Sequence, residues 1–332
     1  MRPLYFLVPG TSQRFHCGGL WAELKILELA QSLGPAELVT YQQREPGRLF
    51  LGDLLKQPPT RGIFVVSWGF HVARLLQQLR SHPVVYHAHS VGYGFAIPAG
   101  VPIITVSRHS LGYWGQKAPH VPLYYLPNVI SDEFTNRQQP RDIDVLIMAR
   151  KSSPYLLQQL APKLQKYCRV EVVDYFVPSL ADLFNRSRIY LYDSAEYWAV
   201  RGVSEGFGLQ PLEALACGCQ VFSSVNGGLA DYLDPGNNCE QIGCYDTGYD
   251  VQRILQALQA PPPPVAHDFL AEYRAPQVRV KLQRIWQALD AFFDYRQQHP
   301  KGDIAPLTAQ RLWRRRIQHW TSKVQQLLKK WQ

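Results

Sequence analysis

Glu205 and Glu213 stand eight positions apart in the stretch Ser204-Glu205-Gly206-Phe207-Gly208-Leu209-Gln210-Pro211-Leu212-Glu213-Ala214-Leu215-Ala216-Cys217-Gly218. The early glycines predict a turn, Pro211 suits the start of a helix, and Gly218 suits its end. One carboxylate is therefore expected on a turn and the other, Glu213, in the first helical turn. Carboxylates so placed can face a common cleft and accept hydrogen bonds from sugar hydroxyls, while the open amides of a helix start suit an anion. A lone glutamate in such a position would do no more than offset the helix dipole.

Other groups of useful chemistry lie elsewhere. Arg150 and Lys151 follow the apolar run Leu146-Ile147-Met148-Ala149. An arginine leaving the carboxyl end of a strand can fork onto phosphate oxygens and balance the charge of a departing nucleotide. Cys17-Gly18-Gly19-Leu20 precedes a helical pattern, and glycines there let backbone approach a ligand closely. Pro83-Val84-Val85-Tyr86-His87-Ala88-His89-Ser90 ends a strand on two histidines. A His-x-His pair also suits a metal, but no third or fourth ligand is apparent, and no metal is expected. Asp142-Ile143-Asp144 opens a strand, far from a carboxyl-end cleft, and reads as a solvated pair.

The elements that must hold these groups follow from hydrophobic spacing. Short apolar runs at 4–8, 63–67, 84–86, 103–107 and 123–127 alternate with helical patterns at 20–32 and 72–80. After a polar linker, Asn136-Arg137-Gln138-Gln139-Pro140-Arg141, a second set follows at 144–149, 170–173, 189–193 and 220–223. Such β/α alternation implies parallel sheets flanked by helices. The reading is an α/β chain with two Rossmann-like, doubly wound domains, 1–135 and 141–275, and a ligand cleft at the carboxyl ends of both sets of strands. Pro261-Pro262-Pro263-Pro264 breaks any helix. Val278, Leu282, Ile285, Leu289 and Phe292 then form one apolar face of a helix over 276–299, expected to pack back on the first domain.

The chain has 332 residues, 46% of them apolar and 18% charged, which suits packed domains and excludes disorder. Its net charge of +9 is unevenly spread: +5 over residues 1–140, −3 over 141–303 and +7 over 304–332. A nucleic-acid-binding body is thereby excluded, since most of the charge is one short tail. No apolar run approaches the ~18 residues of a membrane span, and the opening run is too short for a signal peptide. Six cysteines without paired metal spacing suit small core residues in a reducing cytoplasm. In the tail, 300–332, Trp313, Ile317, Trp320, Val324, Leu327 and Trp331 recur at steps of four and three among seven cations. Two readings stay open: a helix docked on the body or paired as a coiled coil, and an interfacial helix on an anionic membrane.

Taken whole, Glu205-Gly-Phe-Gly-Leu-x-Pro-Leu-Glu213-Ala-x-Ala-x-Gly218, with Gly227-Gly228 beyond it, resembles the E-x7-E signature of retaining glycosyltransferases of the GT-B fold, in particular the large family numbered four. The resemblance implies that Glu205 meets the donor sugar's hydroxyls and Glu213 the ribose. It gives the donor diphosphate to Arg150 and Lys151, to the backbone of Gly18 and Gly19, and to Gly206, Phe207, Gly208 and Leu209. It places His89 near the reacting anomeric carbon, with His87 as the competing candidate. The chain departs from the pattern in places: Ala149 stands where glycine is usual, Lys151 follows Arg150 at once, Val129 follows Pro127-Asn128 where glycine is usual, and Ser90 stands where aspartate is common. Between Asp193-Ser194 and Glu205 lies an unusually long aromatic insert, 195–204. The function implied is transfer of a sugar, with retained configuration, from a nucleotide-diphosphate sugar to a hydroxyl of a glycan, lipid-linked or lipid acceptor. It needs no cofactor, metal or nucleic acid, and its place is the cytoplasm, at the inner membrane face in the reading that makes the tail an interfacial helix. Two alternatives remain: a GT-B sugar-nucleotide epimerase, and a catalytically weak partner subunit that binds a sugar nucleotide.

Overall fold

The structure, a computed structural model, describes residues 1–58, 61–67, 69, 71–260 and 267–330, without the side chains of 267, 268 and 327–330. The proline run 261–264, Trp331 and the side chain of Leu327 lie outside the described residues.

Two parallel sheets dominate. The first contains β1 Leu4–Val8, β2 Ala36–Thr40, β3 Leu49–Phe50, β4 Ile63–Ser67, β5 Val84–Ala88, β6 Ile103–Thr105 and β7 Leu123–Tyr125, in the order β3-β2-β1-β4-β5-β6-β7. The second contains β8 Ile143–Met148, β9 Val170–Val173, β10 Ser187–Tyr192, β11 Gln220–Ser223 and β12 Cys239–Gln241, in the order β12-β11-β10-β8-β9. Every pairing of strands among the described residues is parallel. The central strands are almost wholly apolar because helices cover both faces: each residue of β4 and β5 is buried, Ser67 and His87 included. In each sheet the winding direction reverses once, between β1 and β4 and between β8 and β10. Ligands of doubly wound sheets sit outside the carboxyl ends of the strands at such points.

Helix Ala275–Gln298 follows the second domain in sequence but belongs to the core of the first. Val278, Leu282, Ile285, Trp286, Leu289 and Phe293 pack with Leu4, Phe6, Ile26 and Val85. The apolar face was expected to end on Phe292; instead Phe293 is buried and Phe292 only borders the cluster, while Trp286 fills the centre and donates from its indole N–H to the Arg2 carbonyl at 2.9 Å.

The tail helix, Ala309–Lys330, is not docked on the body. Trp313 is 65% exposed and Trp320 71%, and Ile317 and Val324 are exposed with them. No helix among the described residues is long and apolar enough to cross a membrane. All six cysteines are free thiols.

Candidate active site

The carboxyl ends of β8 and β10, adjacent strands at the switch point of the second sheet, deliver the first cluster. Past Met148 the chain turns through Arg150 and Lys151, the latter in the left-handed region at φ 72°. Arg150 is exposed and, among the described residues, has no ion-pair partner. Lys151 turns instead toward Glu205, with its Nζ 3.6 Å from Oε1. Glu205 is only 4% exposed, yet its carboxylate is well supplied with donors. The Tyr192 hydroxyl donates to Oε2 at 2.5 Å and the Trp198 indole N–H donates to the same oxygen at 2.8 Å. Tyr192 ends β10, and Trp198 comes from the short insert helix Ala195–Arg201.

Glu213 differs in kind. The helix that carries it runs from Leu209 to Ala216 behind Gly208, which is in the left-handed conformation at φ 77°. It therefore begins two residues before Pro211, and Glu213 lies in the second turn, not the first as expected. The proline is tolerated because amides of the first turn have no partner within a helix. Burial pushes the Glu213 carboxyl up to about 7, opposed by the charge of Lys25 and helped by that of Glu133. Lys25 belongs to helix Gly18–Gln31 of the first domain, so this carboxyl feels the opposite wall of the cleft. Both glutamates also bear on Tyr190 and Tyr232, buried hydroxyls held far above their usual range by burial and by these two charges.

The first domain contributes a third cluster that spacing alone does not show. Glu23 on helix Gly18–Gln31 is fully buried, and its Oε2 is shared by His87 Nδ1 at 2.7 Å and His89 Nε2 at 2.8 Å, while the Ser67 hydroxyl donates to Oε1. Burial alone would raise the Glu23 pKa, but the charge of His87 and the hydrogen bonds from both rings outweigh it and hold the carboxyl well below its usual range. His89 is lowered, by burial first and by the neighbouring charge of His87. The third group that the His-x-His pair lacked in the sequence is thus supplied: these three side chains place one ligand atom each within 4.8 Å of one another and could hold a metal ion. The signal for Glu23 was a carboxylate on the buried stripe Leu20, Glu23, Leu27, Ala30.

Gly18 and Gly19 form no loop. They are the first two residues of the helix, behind Cys17, whose side chain gives no cap, so the amides of the first turn remain open to an anion. Gly206 and Phe207 are buried, and Gly208 and Leu209 half-buried, at the seam between domains. A Cβ on Gly206 would overlap the His89 carbonyl, and one on Gly228 would overlap the Gly206 carbonyl. The Ser90 hydroxyl donates to the Ser204 carbonyl at 2.6 Å and the Ser204 amide to Val91 at 3.2 Å. Beside this seam Asp231 accepts from the amides of Arg108, at 2.6 Å, and His109, at the start of helix Arg108–Lys117. Glu205 and His89 are thereby brought to the same seam from opposite domains. Asp142 and Asp144 lie apart from it, paired with Arg186, Arg169 and Arg188 at the other end of β8.

Residues 134–264 match the family model described as "Glycosyl transferases group 1". No curated protein sequence matches the chain. Among solved structures, a glycosyltransferase from Rickettsia africae is 11% identical with a TM-score of 0.59, covering 88% of this chain and 98% of that one. HepE from Anabaena, solved with UDP, is 15% identical with a TM-score of 0.58, covering 88% and 100%. Sucrose-phosphate synthase from Thermosynechococcus elongatus is 14% identical with a TM-score of 0.54, covering 90% and 100%. The likeness extends over both domains, and it shows the fold: this chain is built as a GT-B protein, with residues 134–264 of its second part matching the group 1 glycosyltransferase model.

Proposed function

We propose that this chain is a retaining glycosyltransferase that moves a sugar from a nucleotide-diphosphate donor to an acceptor hydroxyl. The observation that carries the reading is the meeting of Glu205 with Lys151 beside exposed Arg150 at the second sheet's switch point, directly across the seam from His89. The match of residues 134–264 to the group 1 model supports it, and the UDP held by the Anabaena protein supports a uridine donor.

In this reading the second domain binds the donor. Glu213, in its ionised form, accepts hydrogen bonds from the ribose, and Glu205 accepts them from the sugar. Arg150, free to turn, forks onto the diphosphate and stabilises the charge that grows on it as the anomeric bond breaks. Lys151 and the open amides at Gly18 and Gly19 add to that stabilisation. The first domain presents the acceptor beside His89, whose ring is fixed by Glu23. Holding both reactants at the seam supplies much of the acceleration, since a fixed geometry removes the entropy of encounter. Incubating the chain with a panel of UDP-sugars and following UDP release and thermal shift tests the reading. A donor that raises the melting temperature and is slowly hydrolysed without acceptor is expected, because a ligand of the native state stabilises it by mass action. No shift and no UDP release with any nucleotide sugar would overturn it.

The acceptor is proposed to be membrane-bound, reached through the tail. Trp313, Ile317, Trp320 and Val324 form an uncovered apolar stripe on a helix bearing seven cations and no acid over 304–332. That pattern suits insertion at the interface of an anionic bilayer. Deleting residues 304–332 is expected to abolish co-sedimentation with phosphatidylglycerol vesicles while UDP binding persists. Equal sedimentation of both chains would refute the membrane assignment.

A further inference from the structure

The insert 195–204 places an indole where a donor sugar would have to bind. Trp198 donates to Glu205 Oε2 at 2.8 Å, and Lys151 Nζ lies 4.7 Å from the centre of the Trp198 ring and 3.6 Å from Glu205 Oε1. With Tyr192 also on Oε2, that oxygen holds two donors of the protein itself, while Oε1 has the Lys151 ammonium 3.6 Å away. A sugar hydroxyl can take a place on Oε2 only by displacing one of these two donors. Tyr192 is the least able to leave, being 3% exposed at the end of a central strand. Trp198 is better able: the helix Ala195–Arg201 buries none of its residues and ends at Gly202, in the left-handed conformation at φ 65°. Lys151 also has somewhere to go, since its side chain is 30% exposed beside Arg150.

We infer that Trp198 is a donor-selecting residue that holds Glu205 until a nucleotide sugar displaces it. This rests on the donor reading above and adds to it an exchange of partners. In the empty site the indole and the Lys151 ammonium satisfy Glu205, so the buried carboxylate is never left bare, which would cost the full desolvation of a charge. When the donor enters, Lys151 leaves for the diphosphate and a sugar hydroxyl takes the place of the indole N–H. Only a sugar that offers Glu205 a donor hydroxyl repays the lost indole bond, so the same exchange rejects sugars lacking it. The diphosphate and the sugar thus act together, one drawing off the lysine and the other the indole.

The test is Trp198→Phe, which keeps an aromatic ring beside Lys151 and removes the N–H. Donor affinity is measured by calorimetry with UDP and with the UDP-sugar that the wild-type chain hydrolyses. The variant is expected to bind the UDP-sugar about five-fold more tightly, with the gain in KM rather than kcat, because one hydrogen bond to a charged group is no longer forfeited. Its affinity for UDP, which carries no sugar, is expected to stay within two-fold, a result that also shows the variant is folded. Unchanged or weaker UDP-sugar binding with intact UDP binding would overturn the inference and mark Trp198 as a packing surface for the sugar. Failure of both chains to bind any UDP-sugar would instead bring down the donor reading, and this inference with it.

Discussion

On the proposed function, replacing Glu205 with alanine is expected to lower kcat/KM for sugar transfer by ~10²–10³-fold, the usual cost of removing one preorganised electrostatic contact to a reacting group. Three features set that size. The carboxylate is nearly fully buried, so its bonds to a sugar act in a low local dielectric. It lies on a segment whose backbone is clamped between His89 and Gly228, so nothing nearby can shift to replace it. Its loss also strands Tyr192, Trp198 and Lys151, all of which now point at it. Single-turnover assays with the donor identified by UDP release would check this, and calorimetry with UDP alone separates the sugar contact from the nucleotide contacts. UDP affinity is expected to change little, since UDP has no sugar for Glu205 to hold. A variant with wild-type kcat/KM would remove Glu205 from the site. Arg150→Ala is expected to show the complementary pattern, weakening UDP itself.

Glu213→Gln is expected to make the protein more stable at alkaline pH and, on the proposed function, to weaken nucleotide binding. The carboxyl sits at about 7 in the folded chain, above its ordinary 4.5, because burial penalises the charged form. Between those two values the native chain keeps a proton that the unfolded chain has released. Stability contributed by this group is therefore full below about 4.5, falls as the pH rises, and is lost above about 7. The displacement corresponds to ~3 kcal/mol at most, taking 1.36 kcal/mol per pH unit. Glutamine resembles the protonated acid at every pH. It should melt with the wild type at pH 5 and several degrees above it at pH 8. Nucleotide affinity should move the other way. Ribose hydroxyls donate best to an ionised carboxylate, so wild-type UDP binding strengthens as the pH passes 7, whereas the glutamine variant binds ~10–100-fold more weakly at pH 8 and loses that pH dependence. Scanning calorimetry at the two pH values and titration with UDP check both halves. A wild-type chain no less stable at pH 8 than the variant would refute the burial argument.

Much of this was legible in the sequence, for identifiable reasons. β1, β4, β9 and β11 have the bounds that their apolar runs suggest; β1 and β4 do so because strands covered on both faces read as near-continuous apolar runs, and β9 does so although Glu171 lies within it. β2 carries the exposed Glu37 within it, and β3 and β12 have two and three residues, too few to show a period. Glu205, Glu213 and Arg150 stood out because they belong to one short stretch or to the end of a recognisable strand. Glu23 did not, since its partners His87 and His89 are 64 and 66 residues away and meet it only once the first helix has packed on β4 and β5. Trp198 was visible as part of an aromatic insert, but its bond to Glu205 depends on how the insert helix folds back beside β10. The helix start at Leu209 was missed because Pro211 suggested an origin two residues later.

The return of helix Ala275–Gln298 to the first sheet has a consequence during synthesis. The strands of the first domain leave the ribosome long before Val278, Leu282, Trp286 and Phe293, which complete its core. Until then the cluster that Leu4, Phe6, Ile26 and Val85 share lacks the part of its cover that these residues supply, although the whole second domain has already been made. The second domain can close first, and the first core is completed only once Ala275–Gln298 has been made, so a nascent chain stopped before residue 275 exposes part of an apolar face.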